Sequence, residues 1–139
     1  MVQESNLNRE LVQDFFAALS AKDVSALARV LHPDVTWTMM ASDAANRLRA
    51  MGLDEAAALF VSGSEGVFAP GDPKSRITGF VSEGDRAMAE TSGSGRRSDG
   101  KLYDNLYAWA FEFTEGRIAE IREYTDTAYA LRFFDLSAD

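Results

Sequence analysis

The sequence predicts an α+β fold in which helices pack over one face of an antiparallel sheet. Apolar residues recur at helical spacing early in the chain, while period-two alternation dominates after residue 75. Gly-containing turns then cut that second part into successive runs. Helices first and strands later is the order expected when the two types segregate into layers. The 139 residues suit a single domain spanning 1–139, and 46% hydrophobic content is enough to build a core.

Over 6–19, Leu7, Leu11, Val12, Phe15, Phe16 and Leu19 fall on one stripe, with Ser5 or Asn6 as the N-cap. Asp23 caps a second helix carrying Val24, Leu27, Val30 and Leu31, and Pro33 stops it. Residues 35–39 are rich in strand formers. Segment 42–51 is open between a loop and a helical turn, and "LDEAAALFVS" starts a third helix near Leu53 with acids in its first turn. "SEGD" at 82–85 and "TEGR" at 114–117 are tight turns, and "GSGRRSDGK" at 93–101 is a longer polar loop. They delimit strands at 75–82, 86–93, 101–114 and 117–125, joined as a meander, and a short helix over 126–134 follows.

Composition narrows the function. A charge of −8, from 22 acids against 14 bases, repels phosphate backbones and anionic lipid, so neither nucleic acid nor membrane is expected as a partner. Without cysteine there is no disulfide or thiol nucleophile, and with one histidine, His32, no His-rich metal site is expected. The polar start "MVQESNLNRE" has no apolar leader, so the expected compartment is the cytoplasm.

The strand over 102–113 is the most informative. Its odd positions, Tyr103, Asn105, Tyr107, Trp109, Phe111 and Phe113, make a row of rings interrupted by one amide. Its even positions include Leu102, Leu106, Ala108 and Ala110. Both faces are largely apolar, so both need cover. The helices supply one cover, and a second copy of the chain is the expected other, giving a homodimer. An amide among rings suits a small-molecule pocket and equally suits a buried group satisfying backbone. Asp126, just past Tyr124, is a natural N-cap for "TAYALRFF" and also a candidate base at a strand-to-helix junction. Arg122 shares its side of the last strand and is a candidate counter-charge, whereas Glu123 points the other way. Glu90 is expected to pair with an arginine on a neighbouring strand, His32 to interact with helix-end carbonyls, and Trp37, Met39 and Met40 to lie in the core.

Helix, Asp-capped helix, "LHPDVTW" and then "YDNLYAWAFEFTEGRIAEIREYTDT" resemble the SnoaL-like, ketosteroid-isomerase-related branch of the nuclear-transport-factor-2-like superfamily. The resemblance spans nearly the whole chain and is weakest around "RAMGLDEAAALF". It implies a cone: a strongly bent sheet, N-terminal helices over its concave face, and an interior that takes a small apolar molecule. It also implies dimers through the outer face and, in catalytic members, acid–base chemistry without a cofactor. The steroid isomerases' carboxylate base falls at Met39, their second carboxylic acid near Trp109 and their tyrosine near Phe15 or Phe16. The Arg-x-Asp pair of limonene-type epoxide hydrolases falls at Thr91 and Gly93, their asparagine and tyrosine at Thr38 and Thr36, and only their last aspartate matches, at Asp126. The site expected on this basis has Asp126 as base and Asn105 with Tyr103 or Tyr107 at an oxyanion. Phe16, Trp37, Met39, Trp109 and Tyr124 would line the ligand. A binding module without turnover is the alternative.

Overall fold

A computed structural model describes residues 2–136; residues 1 and 137–139 of the expected domain lie outside the described residues. Helix α1 (Val2–Ala21) starts ahead of the expected cap, so Ser5 and Asn6 lie inside it. It buries Val12, Phe15 and Phe16 of the predicted stripe together with Ala18, while Leu11 and Leu19 are half-buried and Leu7 is exposed. Lys22 ends it at a left-handed φ of 56°, and the Asp23 N–H reaches back to the Ala18 carbonyl at 3.0 Å. The Asp23 carboxylate then accepts from the Ala26 N–H at 3.1 Å and caps α2 (Val24–Val30).

Pro33 does not stop this helix. The chain turns extended at Leu31, and Pro33 lies inside strand β1 (Leu31–Met39). Pairing of β1 is interrupted between Leu31 and Thr36, where a proline without an N–H can be tolerated. The open segment 42–51 contains a 3-10 turn (Ala44–Asn46) and then strand β2 (Leu48–Met51), a hairpin partner of β1. Four residues are too few to show a period, so this strand exists because β1 offers it an edge. Helix α3 (Leu53–Phe60) follows Gly52, whose φ of 91° suits only glycine.

The meander is as expected: β3 (Lys74–Glu83), β4 (Arg86–Arg96), β5 (Leu102–Thr114) and β6 (Arg117–Thr125) pair antiparallel in sequence. One end differs. Strand β4 runs through Gly93 and Gly95 to Arg96 rather than yielding to a loop. These glycines serve close approach: a Cβ on Gly95 would sit 2.8 Å from the Asp72 side chain, and one on Gly93 3.1 Å from the Tyr107 ring. Helix α4 (Thr127–Phe133) lies where expected.

The sheet order is β2-β1-β6-β5-β4-β3. β1 joins it beside β6 in parallel, the one pair that hairpins cannot make, since these strands are far apart in sequence. Register shifts at Ile77/Gly79 and Glu112/Phe113 bend the sheet about α1. The Asn8 amide donates to the Ser82 hydroxyl and the Gly84 carbonyl, both at 2.9 Å, tying the helix to the β3–β4 turn. Between helix and sheet, Phe15 meets Trp37 at 5.2 Å and Trp109 at 5.9 Å, and Phe16 meets Trp109 at 5.1 Å, all edge to face.

Candidate functional site

Strand parity decides what faces the interior. On β6, Ile121 and Glu123 point in, while Glu120, Arg122 and Tyr124 point out. β1 sets Trp37 beside Ile121 and Met39 beside Glu123, and β5 sets Trp109 opposite Glu123. A carboxylate is thereby delivered into an aromatic interior. Glu123 is 6% exposed, and the Trp37 indole N–H donates to its Oε1 at 3.0 Å. Among the described residues its Oε2 has no hydrogen-bond partner, and no lysine or arginine pairs with it. Burial pushes the Glu123 carboxyl from the ordinary 4.5 up to about 7, against the smaller stabilising pull of the Trp37 donor. This group therefore changes charge near neutrality.

Beside it runs a chain of phenols. Tyr103 and Tyr107, two turns of the pleat apart on the inward side of β5, hydrogen-bond hydroxyl to hydroxyl. The Asn105 amide donates to the Tyr103 oxygen at 3.1 Å, and its own carbonyl accepts from the Leu106 N–H at 2.9 Å. Tyr103 is the more deeply buried phenol, packed with Phe68 and Phe133. Either hydroxyl can donate in this pair; when Tyr103 does, the Tyr107 proton is left for a third group. Burial, with the nearby Glu123 charge, raises both phenols above their ordinary value, so both stay protonated donors. Tyr107 and Glu123 are diagonal neighbours on one face, since Tyr107 pairs with Thr125 and Trp109 with Glu123. Gly93, opposite Asn105, leaves the room the two rings fill.

The structure brings together most of the expected residues. Trp37, Trp109, Tyr103, Asn105, Tyr107 and Phe16 share the interior face, with Met39 half-buried at its end. The Trp109 indole donates to the fully buried Thr91 hydroxyl at 2.9 Å, so that middle-strand position carries a satisfied neutral pair. Tyr124 and Asp126 lie apart from this group. Tyr124 is on the outer side, and Asp126 is exposed, its Oδ1 accepting from the Tyr129 N–H at 3.0 Å as cap of α4. Arg122 serves Glu112 and Glu120 at 2.7 and 2.6 Å rather than Asp126. His32 Nδ1 accepts from the Asp34 N–H, and Glu90 is exposed with no arginine partner among the described residues.

Glu123 is the residue that sequence reading left without a role. Its signal was an acid in the inward row of β6, two residues after Ile121. Two surface depressions, of about 330 and 370 Å³, lie elsewhere. The first is between α1 and the β5–β6 turn, and the second is on the outer face around Val81, Met88 and Arg122. Next to Glu123, the Trp37 indole that donates to it is covered by Phe60, which lies flat on it with centroids 4.1 Å apart.

A comparison with known families matches the SnoaL-like domain to residues 12–121. No curated protein matches the sequence. Among solved structures, a SnoaL-like polyketide cyclase homologue from Jannaschia sp. CCS1 superposes with a TM-score of 0.78 at 19% identity, covering 97% of this chain and 94% of that one. An epoxide hydrolase of M. tuberculosis that is LEH-like gives 0.75 at 18% identity, covering 94% and 90%. TerC, co-crystallised with polyporic acid, gives 0.80 at 17% identity, covering 93% and 98%. At these identities the likeness is one of fold.

Proposed function

The chain belongs to the SnoaL-like domain family, of nuclear-transport-factor-2-like fold, and from that premise we propose that it is an acid–base enzyme of the interior face. Its substrate is a small, largely apolar carbonyl compound, and Glu123 is its proton carrier. The observation behind this reading is a carboxyl group buried among rings with one oxygen unpartnered and its pKa near 7. Such a base is matched to neutral pH, where general acid–base catalysis is most effective.

The ionised carboxylate takes the proton α to the carbonyl. The electron pair moves to oxygen, which accepts from the Tyr107 hydroxyl, itself polarised through Tyr103 and Asn105. The neutral Glu123 then returns its proton to the same carbon or to a conjugated one, giving exchange or a double-bond shift. Trp37 holds Oε1 and leaves Oε2 to carry the proton. Asn105 and the tyrosines keep the oxyanion role expected of them, and the base is Glu123 in place of Asp126. That neighbours of this fold include an epoxide hydrolase, a polyketide-cyclase homologue and TerC with polyporic acid supports small-molecule chemistry as the setting.

Proton–deuterium exchange α to the carbonyl of 1-indanone, followed by NMR, tests this. The wild type should accelerate exchange, with a rate that rises with pH through about 7, and Glu123→Gln should lose about 100-fold or more. Equal rates for the two proteins would end the proposal. A second reading, a binding module without turnover, is favoured by the ring-filled interior at Trp37 and Phe60, and the same experiment gives it no acceleration at all.

A further inference from the structure

Of the rings around the candidate site, Phe60 is placed differently from the rest. Phe15, Phe16, Trp37, Trp109 and Phe111 are all buried on the sheet or on α1. Phe60 is only half-buried and comes from the last turn of α3. Its ring lies parallel to the Trp37 indole, at 10° between planes and 4.1 Å between centroids, whereas α1 meets that indole edge on through Phe15, at 61°. Stacked rings at this distance sit at the spacing of two flat molecules in contact.

The helix does not depend on this ring for its place. Ala56 and Val61 are buried on either side of Phe60 in sequence, Leu53 packs on the core, and the Gly52 N–H is held by the Val35 carbonyl at 2.7 Å. Rotation about the side-chain bonds of Phe60 would therefore carry its ring into solvent while α3 stays docked. What it would leave is a slot one ring thick. The face of Trp37 forms its floor, and Glu123 lies at the edge of that floor, because the same indole donates its N–H to Oε1.

We propose that Phe60 occupies the ligand's place, and that a flat conjugated or aromatic carbonyl compound displaces its ring from Trp37, setting its α-carbon against the Glu123 carboxyl and its oxygen toward the Tyr107 hydroxyl. The stack selects flatness, since a puckered saturated ring cannot match the contact that Phe60 gives up. The unpartnered Oε2, at one edge of an otherwise apolar plate, selects the acidified C–H beside a carbonyl, since a carboxylate oxygen can only accept. The displacement of a protein ring by a ligand ring also sets affinity: the free protein already holds part of the contact energy, so binding is weaker than the slot alone would give. This proposal names the substrate class for the acid–base reading above and rests on the same interior face.

Calorimetric binding of 1-indanone and of its ring-saturated analogue, octahydroindan-1-one, provides the test, because it reads occupancy without turnover. Phe60→Ala should bind 1-indanone about tenfold more tightly than the wild type, close to 1.4 kcal/mol, while the saturated ketone gains about twofold at most. Phe60→Leu keeps apolar volume but no stack, and should show the same preference with a smaller gain; it carries the test if the alanine variant fails to fold. No gain in either folded variant, or an equal gain for both ketones, overturns the slot. The two proposals fail separately. A gain in affinity with exchange at background would keep the slot and remove the enzyme. Unchanged affinities with exchange lost in Glu123→Gln would do the reverse.

Discussion

Glu120 and Glu123 sit three residues apart on β6, and they live in different solvents. Glu120 points outward, where Arg122 donates to it at 2.6 Å and to Glu112 at 2.7 Å, with both acids about 40% exposed. Glu123 points inward, has an indole N–H for company, and is buried. The outer carboxylates perturb each other: the hydrogen bond between them raises Glu120 and lowers Glu112, with Arg122 helping to lower Glu112. That is ordinary surface sharing of charge. The inner carboxylate is raised by desolvation, a force that no surface group feels in full. On a strand covered on one side, a change of parity thus converts a solvated charge into a titrating group poised at neutral pH.

The inner side should be the costly one to disturb. Trp37→Ala removes a fully buried ring, the donor to Glu123 and the floor under Phe60, and should cost about 3–5 kcal/mol in urea unfolding. A loss under about 1 kcal/mol would break the comparison, because it would mean the interior tolerates a void.

Glu123→Gln sharpens it through pH. The folded carboxyl titrates at about 7 and the unfolded one near 4.5, so between these values the native state binds the extra proton. The wild type is therefore most stable below about 4.5 and loses stability as pH rises to 7, by up to about 3 kcal/mol. Glutamine keeps the acceptor for Trp37 without this penalty. The variant should match the wild type near pH 4 and exceed it at pH 8, measured by denaturation at both values. A difference that does not change with pH would show that Glu123 is not the titrating group.

Smaller effects belong to the polar groups outside. Asp126→Ala should cost about 1 kcal/mol, the worth of an N-cap, and leave the exchange rate of a carbonyl probe unchanged. A large loss of rate with the fold intact would return Asp126 to the chemistry. Arg122→Gln should cost less than about 1 kcal/mol, since both its acids remain in contact with water. The outer face also carries Val81, Met88, Leu102 and Leu106, the last 69% exposed, and we propose that a second copy of the chain covers it. Leu106→Asp should turn a dimer into a monomer by light scattering while the melting temperature stays within a few degrees at matched monomer state. A wild type that scatters as a monomer would remove the dimer.

Much of this was legible in the sequence. The stripe from Leu7 to Leu19, the Asp23 cap and the turns at 82–85 and 114–117 are local signals, each readable from a few residues, and the elements they mark formed within a few residues of their expected bounds. The row from Tyr103 to Phe113 likewise announced which face of β5 would be aromatic. Where reading failed, the cause was a partner distant in the chain. Strand β2 exists only against β1, and β4 runs past its expected end at Gly93 because β5 pairs with it there, Gly95 opposite Tyr103 and Arg96 opposite Leu102. Periodicity also assigned Glu123 to the side away from Arg122, but could not say that β1 would lay Trp37 over that side and shut out water.

What the sequence determined, then, is the alternation: which side chains point together along each helix and strand, fixed by 3.6- and two-residue periods that hold for any chain. What the tertiary structure decided is the environment of each side, since the parallel seating of β1 on β6 and the bending of the sheet around α1 join residues as distant as Trp37 and Glu123, 86 positions apart. A carboxyl group's charge depends on the dielectric around it, and that is a property of what surrounds the residue rather than of the residues beside it in the chain.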